Sequence, residues 1–308
     1  MSSTNPVDEE KVIVKQEFGY GDHELQKLSV YHHFGTETKK ENGLWIIYIH
    51  GGAWRDPTIT DTSFLPTIRH LYSPSQPLST HSLINSNITA FASLSYRLSP
   101  HPQHPQPPST PPTSLRSATH PDHLLDILTG ISFLQSKYHF GSNYLLIGHS
   151  CGATLAFQSI IRDQLLTSVP PSITFQNPEI VVGVAGIYDM RVLRDNNSHP
   201  AYQEFLVSAF GDDEKDWDKA SPANAKYDFS KSWPEAKTVV VVSSSGDELV
   251  DEAQIGCMGK RLESLRGNAK VRVLKGFLGQ NHDGIWEQGV GLADAIVETL
   301  KVWVGDDE

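Results

Sequence analysis

The chain has 308 residues, 38% of them hydrophobic, which is enough to bury one large core in a single domain over residues 1–308. Its formal net charge of −11 argues against binding to nucleic acid or to an anionic membrane. Its two cysteines, Cys151 and Cys257, cannot form a disulfide framework. Residues 1–11 lack the basic and apolar regions of a signal peptide, and no apolar run approaches the roughly 18 residues of a membrane span, which favours a cytoplasmic protein.

Strand and helix patterns alternate along the first third of the chain. Strands are predicted at residues 12–34, 44–50 and 88–95, where apolar residues run together or alternate. Residues 62–72 predict a helix. Residues 73–86 are rich in Ser, Pro and His, and they predict a loop.

A proline-rich insertion follows at residues 101–117, which hold six of the 19 prolines. Proline lacks the backbone N–H that a helix or a central strand needs, so this segment predicts a mobile, solvated loop. It is placed to shape the entrance of a pocket. A proline-rich docking segment is the less favoured alternative.

The alternation resumes after the insertion. Strands are predicted at residues 144–147, 180–187, 237–244 and 270–274, and helices at residues 121–138, 252–265 and 285–304. Residues 190–233 interrupt this rhythm with short helical pieces and many charges, as expected for a cap over a pocket. The pattern predicts an α/β fold with a doubly wound, mostly parallel sheet.

The sequence GHSCG at residues 148–152 lies between a predicted strand and a predicted helix. Strand, G-x-S-x-G and helix in this order form the nucleophile elbow of an α/β-hydrolase. The two glycines permit a tight turn, which presents the Ser150 hydroxyl at the positive end of the following helix. The pentapeptide is weak evidence by itself, so the prediction depends on the partners of the serine.

A serine nucleophile needs a base, and the base needs an orienting acid. Asp247 follows a buried strand, and His282 precedes the last helix, which reproduces the chain order of an α/β-hydrolase triad. The rival acids are Glu248, Asp251 and Asp283. Asp251 is expected to cap the helix at residues 252–265, and Asp283 is too close to His282 to fold back under its ring. His149 is interpreted as structural.

The segment from His50 to Trp54 follows the core strand at residues 44–50. Gly51 and Gly52 can turn their backbone N–H groups towards a substrate carbonyl, so we predict an oxyanion hole from these two groups and the N–H of Cys151. His50 is expected to brace the loop. Trp54 is interpreted either as core or as an aromatic wall of the substrate pocket.

The motif formed by His50, Gly51, Gly52, Ala53 and Trp54 resembles the H-G-G-x-W signature of the kynurenine formamidase (arylformamidase) family, and of its fungal branch in particular. Residues 96–100, Tyr-Arg-Leu-Ser-Pro, resemble a segment of the related hormone-sensitive-lipase-like esterases. The resemblance covers residue 44 to the C-terminus. It implies an α/β-hydrolase fold with Ser150, Asp247 and His282 as the triad. It also implies hydrolysis of N-formyl-L-kynurenine to L-kynurenine and formate in tryptophan degradation, with no metal or organic cofactor.

Two other functions stay open at this point. A broad carboxylesterase acting on small aryl or acyl esters would share every catalytic residue and differ only in its pocket. A catalytically inactive hydrolase fold could instead serve as a small-molecule receptor, although such proteins usually lose the serine or the histidine. In each case the expected partner is a small molecule. The sequence leaves the oligomeric state open, a homodimer included.

Overall fold

One eight-stranded sheet organises the computed structural model, which describes residues 13–33, 43–73 and 75–305. The strands are β1 (Ile13–Gly19), β2 (Lys27–His33), β3 (Leu44–Ile49), β4 (Ile88–Leu94), β5 (Tyr144–His149), β6 (Ile180–Val184), β7 (Thr238–Ser244) and β8 (Lys270–Leu278). Their order across the sheet is β1-β2-β4-β3-β5-β6-β7-β8. The β1–β2 and β2–β4 pairs are antiparallel, and the pairings from β4 through β8 are parallel. The mostly parallel sheet predicted from the sequence is confirmed.

Helices cover both faces of this sheet. They are α1 (Leu65–Leu71), α2 (Leu78–Asn87), α3 (Asp122–Tyr138), α4 (Cys151–Ile160), α5 (Arg162–Leu165), α6 (Met190–Asn196), α7 (Ala201–Phe210), α8 (Glu214–Ala220), α9 (Phe229–Ser232), α10 (Glu252–Leu262), α11 (Gly284–Glu287) and α12 (Val290–Val304). Asp251 caps α10 as expected, because its carboxylate accepts the Ala253 N–H. In the part of the chain that the structure describes, no helix is both long and apolar enough to cross a membrane.

The prediction of a loop at residues 73–86 is wrong, because α2 begins at Leu78. Within α2 only Ile84 is buried, and Leu78 is 88% exposed. A helix that buries so little leaves no apolar stripe in the sequence, so its pattern resembles that of a solvated loop.

The central strands are buried on both faces. Every residue of β3, β5, β6 and β7 is buried, which explains their continuous apolar sequences. Alternate side chains enter two separate cores. Ile47 and Leu146 pack on the side of α3, α4 and α10, whereas Ile46 and Leu145 pack on the side of α1 and α12.

Parallel strands bring their carboxyl ends to one edge of the sheet, where ligands of open α/β sheets bind. The segments that follow β3, β5, β7 and β8 all lie at this edge. They carry Gly52, Ser150, Asp247 and His282, in that order.

The proline-rich insertion at residues 101–117 contains neither helix nor strand, as predicted. Hydrogen bonds nevertheless tie it to itself and to the body of the protein. Gln106 Nε2 donates to the Ser114 carbonyl at 2.8 Å, and the Glu24 N–H donates to the Thr113 carbonyl at 2.8 Å. These bonds connect the insertion to the body of the protein at the edge of the site, and its mobility stays a prediction.

Candidate active site

Ser150 occupies the sharp turn between β5 and α4, with φ 56° and ψ −125°. A positive φ is strained for a residue with a side chain, and such strain is typical of functional positions. Both flanking glycines are needed on steric grounds. An added Cβ at Gly148 would lie 2.2 Å from the Gly152 carbonyl oxygen, and one at Gly152 would lie 2.2 Å from the Ile49 carbonyl oxygen. The chain therefore has the nucleophile elbow that its sequence predicts.

His282 and Asp247 form a buried pair. His282 Nδ1 lies 2.8 Å from Asp247 Oδ2, and the two side chains are 6% and 2% exposed. The other oxygen of Asp247 accepts the N–H groups of Leu249 and Val250, each at 2.9 Å. These bonds fix the carboxylate, and within the described residues the remaining ring nitrogen of His282, Nε2, makes no hydrogen bond and is available to a reaction partner.

The rival acids have other partners. Glu248 accepts the backbone N–H of His282 at 3.1 Å, so it contacts the loop rather than the ring. Asp283 accepts the indole N–H of Trp286 at 3.2 Å. Asp251 caps α10. The geometry therefore selects Asp247 as the partner of the His282 ring.

Ser150 and His282 both line a cavity of about 580 Å³, a volume typical of small-molecule sites. Its aromatic lining is Tyr202, Phe205 and Trp286, and the first two of these belong to α7 in the predicted cap segment. His101 of the proline-rich insertion also lines the cavity, in agreement with its predicted position at a pocket entrance. Within the described residues, no cluster of three or more His, Cys, Asp or Glu side chains could hold a metal ion.

The loop after β3 contacts the nucleophile directly. An added Cβ at Gly51 would lie 3.0 Å from Ser150 Cβ, so Gly51 permits close approach of the two segments. Gly52, with φ 96°, lines the cavity together with Ala53, whereas Gly51 lies beside Ser150 and outside the lining. Of the two predicted oxyanion glycines, Gly52 is the one whose backbone reaches the cavity.

His50 braces this loop, as expected from the sequence. Its Nδ1 lies 2.8 Å from the Gly51 carbonyl oxygen, and its ring stacks on Tyr96 with centroids 4.5 Å apart. Burial lowers the pKa of His50 to about 4, which keeps the ring neutral near pH 7.

Trp54 does not form a wall of the substrate pocket, which corrects one of its two interpretations. Its side chain is fully buried and lies outside the cavity lining, in edge-to-face contact with Phe210 at 4.9 Å. Its ring lies 6.2 Å from that of Phe205, which does line the cavity. Trp54 therefore anchors the loop one layer behind the aromatic wall.

The side chain of Cys151 has a packing role. The thiol is buried and accepts the backbone N–H of Trp54 at 3.3 Å. Burial raises the pKa of Cys151 to about 11, so the group is a neutral thiol near pH 7. Cys151 is the first residue of α4, directly after Ser150, and the role of its backbone N–H in an oxyanion hole stays a prediction.

The sequence predicts a structural role for His149, but this residue lies in the site itself. It lines the cavity, and its ring centroid lies 4.6 Å from that of His282. Burial lowers the pKa of His149 well below its usual value. His149 is thus a neutral ring packed against the histidine of the site.

Sequence reasoning missed two charged groups of the cavity. Arg55 and Asp56 line it, and both follow the H-G-G-x-W motif directly. The sequence signal that could have identified them is their position directly after this motif, which already predicted the site.

No family model matches the chain. It is 40% identical over 274 residues to the kynurenine formamidase-like hydrolase fscH of Fusarium equiseti, which covers 88% of this chain and 86% of that protein. It is 34% identical over 265 residues to the kynurenine formamidase avaC of Aspergillus versicolor, which covers 80% of this chain and 85% of that protein. The chain belongs to the kynurenine formamidase family. The resemblance carried by residues 50–54 is thereby confirmed.

Two solved structures that resemble this member of the family are esterases. Esterase B from Lactobacillus rhamnosis superposes with a TM-score of 0.65 at 15% identity, over 96% of this chain and 88% of that one. A truncated carbohydrate esterase from gut microbiota superposes with a TM-score of 0.62 at 17% identity, over 97% of this chain and 100% of that one. These likenesses confirm the predicted α/β-hydrolase fold.

Proposed function

We propose that this protein hydrolyses N-formyl-L-kynurenine to L-kynurenine and formate, with Ser150, His282 and Asp247 as its catalytic triad. The assignment of the substrate rests on sequence identity. The chain is 40% and 34% identical, over most of its length, to the two fungal proteins compared above. The His282–Asp247 pair and Ser150 at a single cavity support the mechanism.

In the first half of the reaction, Ser150 Oγ attacks the formyl carbon of the substrate. His282 Nε2 takes the hydroxyl proton, and Asp247 holds Nδ1–H and stabilises the imidazolium that forms. The carbonyl oxygen becomes an oxyanion. Backbone N–H groups of Gly52 and Cys151 would stabilise it, and each such donor contributes roughly 2.7–4 kcal/mol in comparable enzymes.

The tetrahedral intermediate then collapses. The bond between the formyl carbon and the aryl nitrogen breaks, and His282 gives its proton to that nitrogen, which leaves as the amine of L-kynurenine. The formyl group stays on Ser150 as an ester. Water attacks this ester with His282 again as the base, formate leaves, and Ser150 recovers its proton.

The cavity suits the leaving group. L-kynurenine presents a flat aromatic ring, and Tyr202, Phe205 and Trp286 offer an aromatic lining of matching character. A formyl group carries only hydrogen on its carbonyl carbon, so it needs no acyl pocket beyond the oxyanion site.

A comparison of substrates tests this proposal. We expect kcat/KM for N-formyl-L-kynurenine to exceed that for p-nitrophenyl acetate by at least about tenfold, which requires only about 1.4 kcal/mol of differential transition-state binding. Activity on p-nitrophenyl esters should fall steeply from acetate to octanoate. A preference for long esters with little formamide cleavage would instead indicate a carboxylesterase. No turnover, together with no labelling by a serine-reactive phosphonate, would indicate a receptor.

We further propose that the protein acts in the cytoplasm, in the degradation of tryptophan towards NAD. Both described cysteines, Cys151 and Cys257, are free thiols, which is the usual state of cysteines in a reducing compartment. Fractionation of cells that express the tagged protein tests the location. Accumulation of N-formylkynurenine after deletion of the gene tests the metabolic role.

A further inference from the structure

Two consecutive residues of opposite charge, Arg55 and Asp56, line the same cavity as Ser150 and His282. Their backbone N–H groups both donate to the Gly52 carbonyl at 2.9 Å. The two charges therefore sit on one tight turn, together with the glycine assigned to the oxyanion site. A ligand group held there would be fixed relative to the reacting carbonyl.

The Arg55 guanidinium is only partly used by the protein. It is 9% exposed and donates from Nη1 to Glu204 Oε1 at 2.5 Å, while its central carbon lies 5.9 Å from the centroid of the Phe205 ring. A guanidinium carries five N–H donors in a planar fork that suits a carboxylate. In the described chain, Glu204 is its hydrogen-bond acceptor, so donors remain for a ligand.

Arg55 is also the permanent cation of the cavity. Among the described residues that line it, Arg55 is the only lysine or arginine. Burial lowers the pKa of His149 well below its usual value, and burial and the Arg55 guanidinium lower that of His101. The other basic side chains of the described lining, His101, His149, His199 and His282, are all histidines, so Arg55 is the one that carries a positive charge at every physiological pH.

Asp56 presents the complementary charge. Its Oδ1 accepts the Thr58 N–H at 2.8 Å and the Thr58 hydroxyl at 2.7 Å, which fixes the carboxylate. Its Oδ2 has no hydrogen bond within the described chain. The other acids of the lining, Glu248 and Asp283, bind the segment that carries His282.

We propose that Arg55 and Asp56 bind the zwitterionic head of an α-amino acid, with Arg55 on its carboxylate and Asp56 on its ammonium group. The carboxylate and ammonium of an amino acid share one carbon, so a single turn that carries both charges offers each group a partner of opposite sign. The inference rests on the proposed function, in which the leaving group ends in such a head. It makes the pair the element that separates an amino-acid formamide from simple aryl formamides and esters.

Substrates that lack one charge test the pair directly. N-formylkynuramine lacks the carboxylate, and 4-(2-formamidophenyl)-4-oxobutanoate lacks the ammonium. We expect Arg55→Gln to lower kcat/KM for N-formyl-L-kynurenine by about 10- to 100-fold, the usual effect of losing a charged hydrogen bond, and to change N-formylkynuramine by less than about threefold. Asp56→Asn should lower kcat/KM for N-formyl-L-kynurenine by a similar factor. It should leave kcat/KM for the oxobutanoate nearly unchanged.

Two variants separate recognition from structure. Glu204→Gln removes the ion pair and keeps the guanidinium, so we expect it to preserve the preference for N-formyl-L-kynurenine over N-formylkynuramine. Arg55→Lys keeps the charge without the planar fork and should recover part of that preference. If Arg55→Gln and Glu204→Gln each lowered kcat/KM equally for all substrates, the ion pair would be purely structural and the inference would be overturned.

Binding of the product gives a readout that needs no turnover. Calorimetry should show L-kynurenine binding to the wild type at least about tenfold more tightly than kynuramine, and Arg55→Gln should abolish the difference. This result would support the head site even if the enzyme failed to cleave N-formyl-L-kynurenine, a failure that would count against the proposed function alone. Equal affinity of the wild type for L-kynurenine and kynuramine, or no binding of either, would overturn the inference.

Discussion

His282 Nδ1 lies 2.8 Å from Asp247 Oδ2, while Asp247 Oδ1 accepts two backbone N–H groups of the turn that follows it. One carboxylate oxygen thus orients the imidazole, and the other fixes the carboxylate to its own loop. The arrangement places the proton on Nδ1 and leaves Nε2 as the basic nitrogen. The catalytic proposal depends on this assignment of the two ring nitrogens.

Asp247→Asn should lower kcat by several orders of magnitude, about 10⁴-fold in comparable triads, because an amide favours the wrong tautomer of His282. The matched control is Asp251→Asn, since asparagine also caps helices well and Asp251 accepts hydrogen bonds from Ala253, Asn196 and Asn197 rather than from the His282 ring. Steady-state release of L-kynurenine measures both variants. Equal activity of Asp247→Asn and Asp251→Asn would remove Asp247 from the triad.

Trp54→Ala should lower the free energy of unfolding by about 3–5 kcal/mol, because the indole is fully buried. Trp54→Phe should be milder and leave KM for N-formyl-L-kynurenine nearly unchanged, since Trp54 lies outside the cavity lining. Phe205→Leu is the comparison and should raise KM, because Phe205 lines the cavity. Denaturant titrations measure the free energy of unfolding of these variants, and initial rates measure their KM. A larger rise in KM from Trp54→Phe than from Phe205→Leu would restore Trp54 as a pocket wall.

Thiol reagents should leave Cys151 unmodified in the folded protein. Burial raises the pKa of its thiol to about 11, so little of the reactive thiolate is present at pH 8. Treatment with iodoacetamide followed by peptide mass spectrometry reports the modified residues, with the urea-unfolded protein as the positive control. Rapid alkylation of native Cys151 with loss of activity would contradict the packing role of this side chain.

Stability should decrease on acidification. Burial lowers the pKa of His50 and of His120 to about 4 and that of His123 to about 3, whereas histidines of the unfolded chain titrate near 6.5. Between these values the unfolded state binds more protons than the folded state. The free energy of unfolding should therefore fall as pH drops from about 6.5 towards 4, by about 2 kcal/mol per buried histidine between pH 7 and pH 5.

Urea titrations at pH 5, 6 and 7 measure this dependence. His123→Gln should flatten it, because glutamine cannot be protonated and can still bond to Ser99 Oγ, which lies 3.0 Å from His123 Nε2. The exposed His104 provides the control, and His104→Gln should keep the slope of the wild type. A free energy of unfolding that stays constant from pH 7 to pH 5 would show that these histidines are not held neutral by burial.

The strands that carry the site could be predicted because buried parallel strands have continuous apolar sequences and end in glycine-containing turns. β5 and β7 are of this kind. The positions of Ser150 and Asp247, which follow these strands, could therefore be predicted from the sequence. Their convergence follows from the parallel sheet, which brings the carboxyl ends of its strands to one edge.

Other features depend on tertiary packing and left no pattern. A tryptophan beside a glycine loop can face either core or cavity, and only the contact with Phe210 of α7 decides for Trp54. Arg55 and Asp56 have the sequence pattern of solvated charges, since most such residues are exposed. The fold alone turns them into the cavity that holds Ser150.

The central claim is that Ser150 carries out the hydrolysis of N-formyl-L-kynurenine, and the release of L-kynurenine by the wild type and by Ser150→Ala tests it most directly. The variant keeps both elbow glycines and should retain the fold and the binding of L-kynurenine. The account predicts rapid release by the wild type and less than about a hundredth of that kcat in the variant. A Ser150→Ala variant that kept more than a hundredth of the wild-type kcat would contradict the serine mechanism.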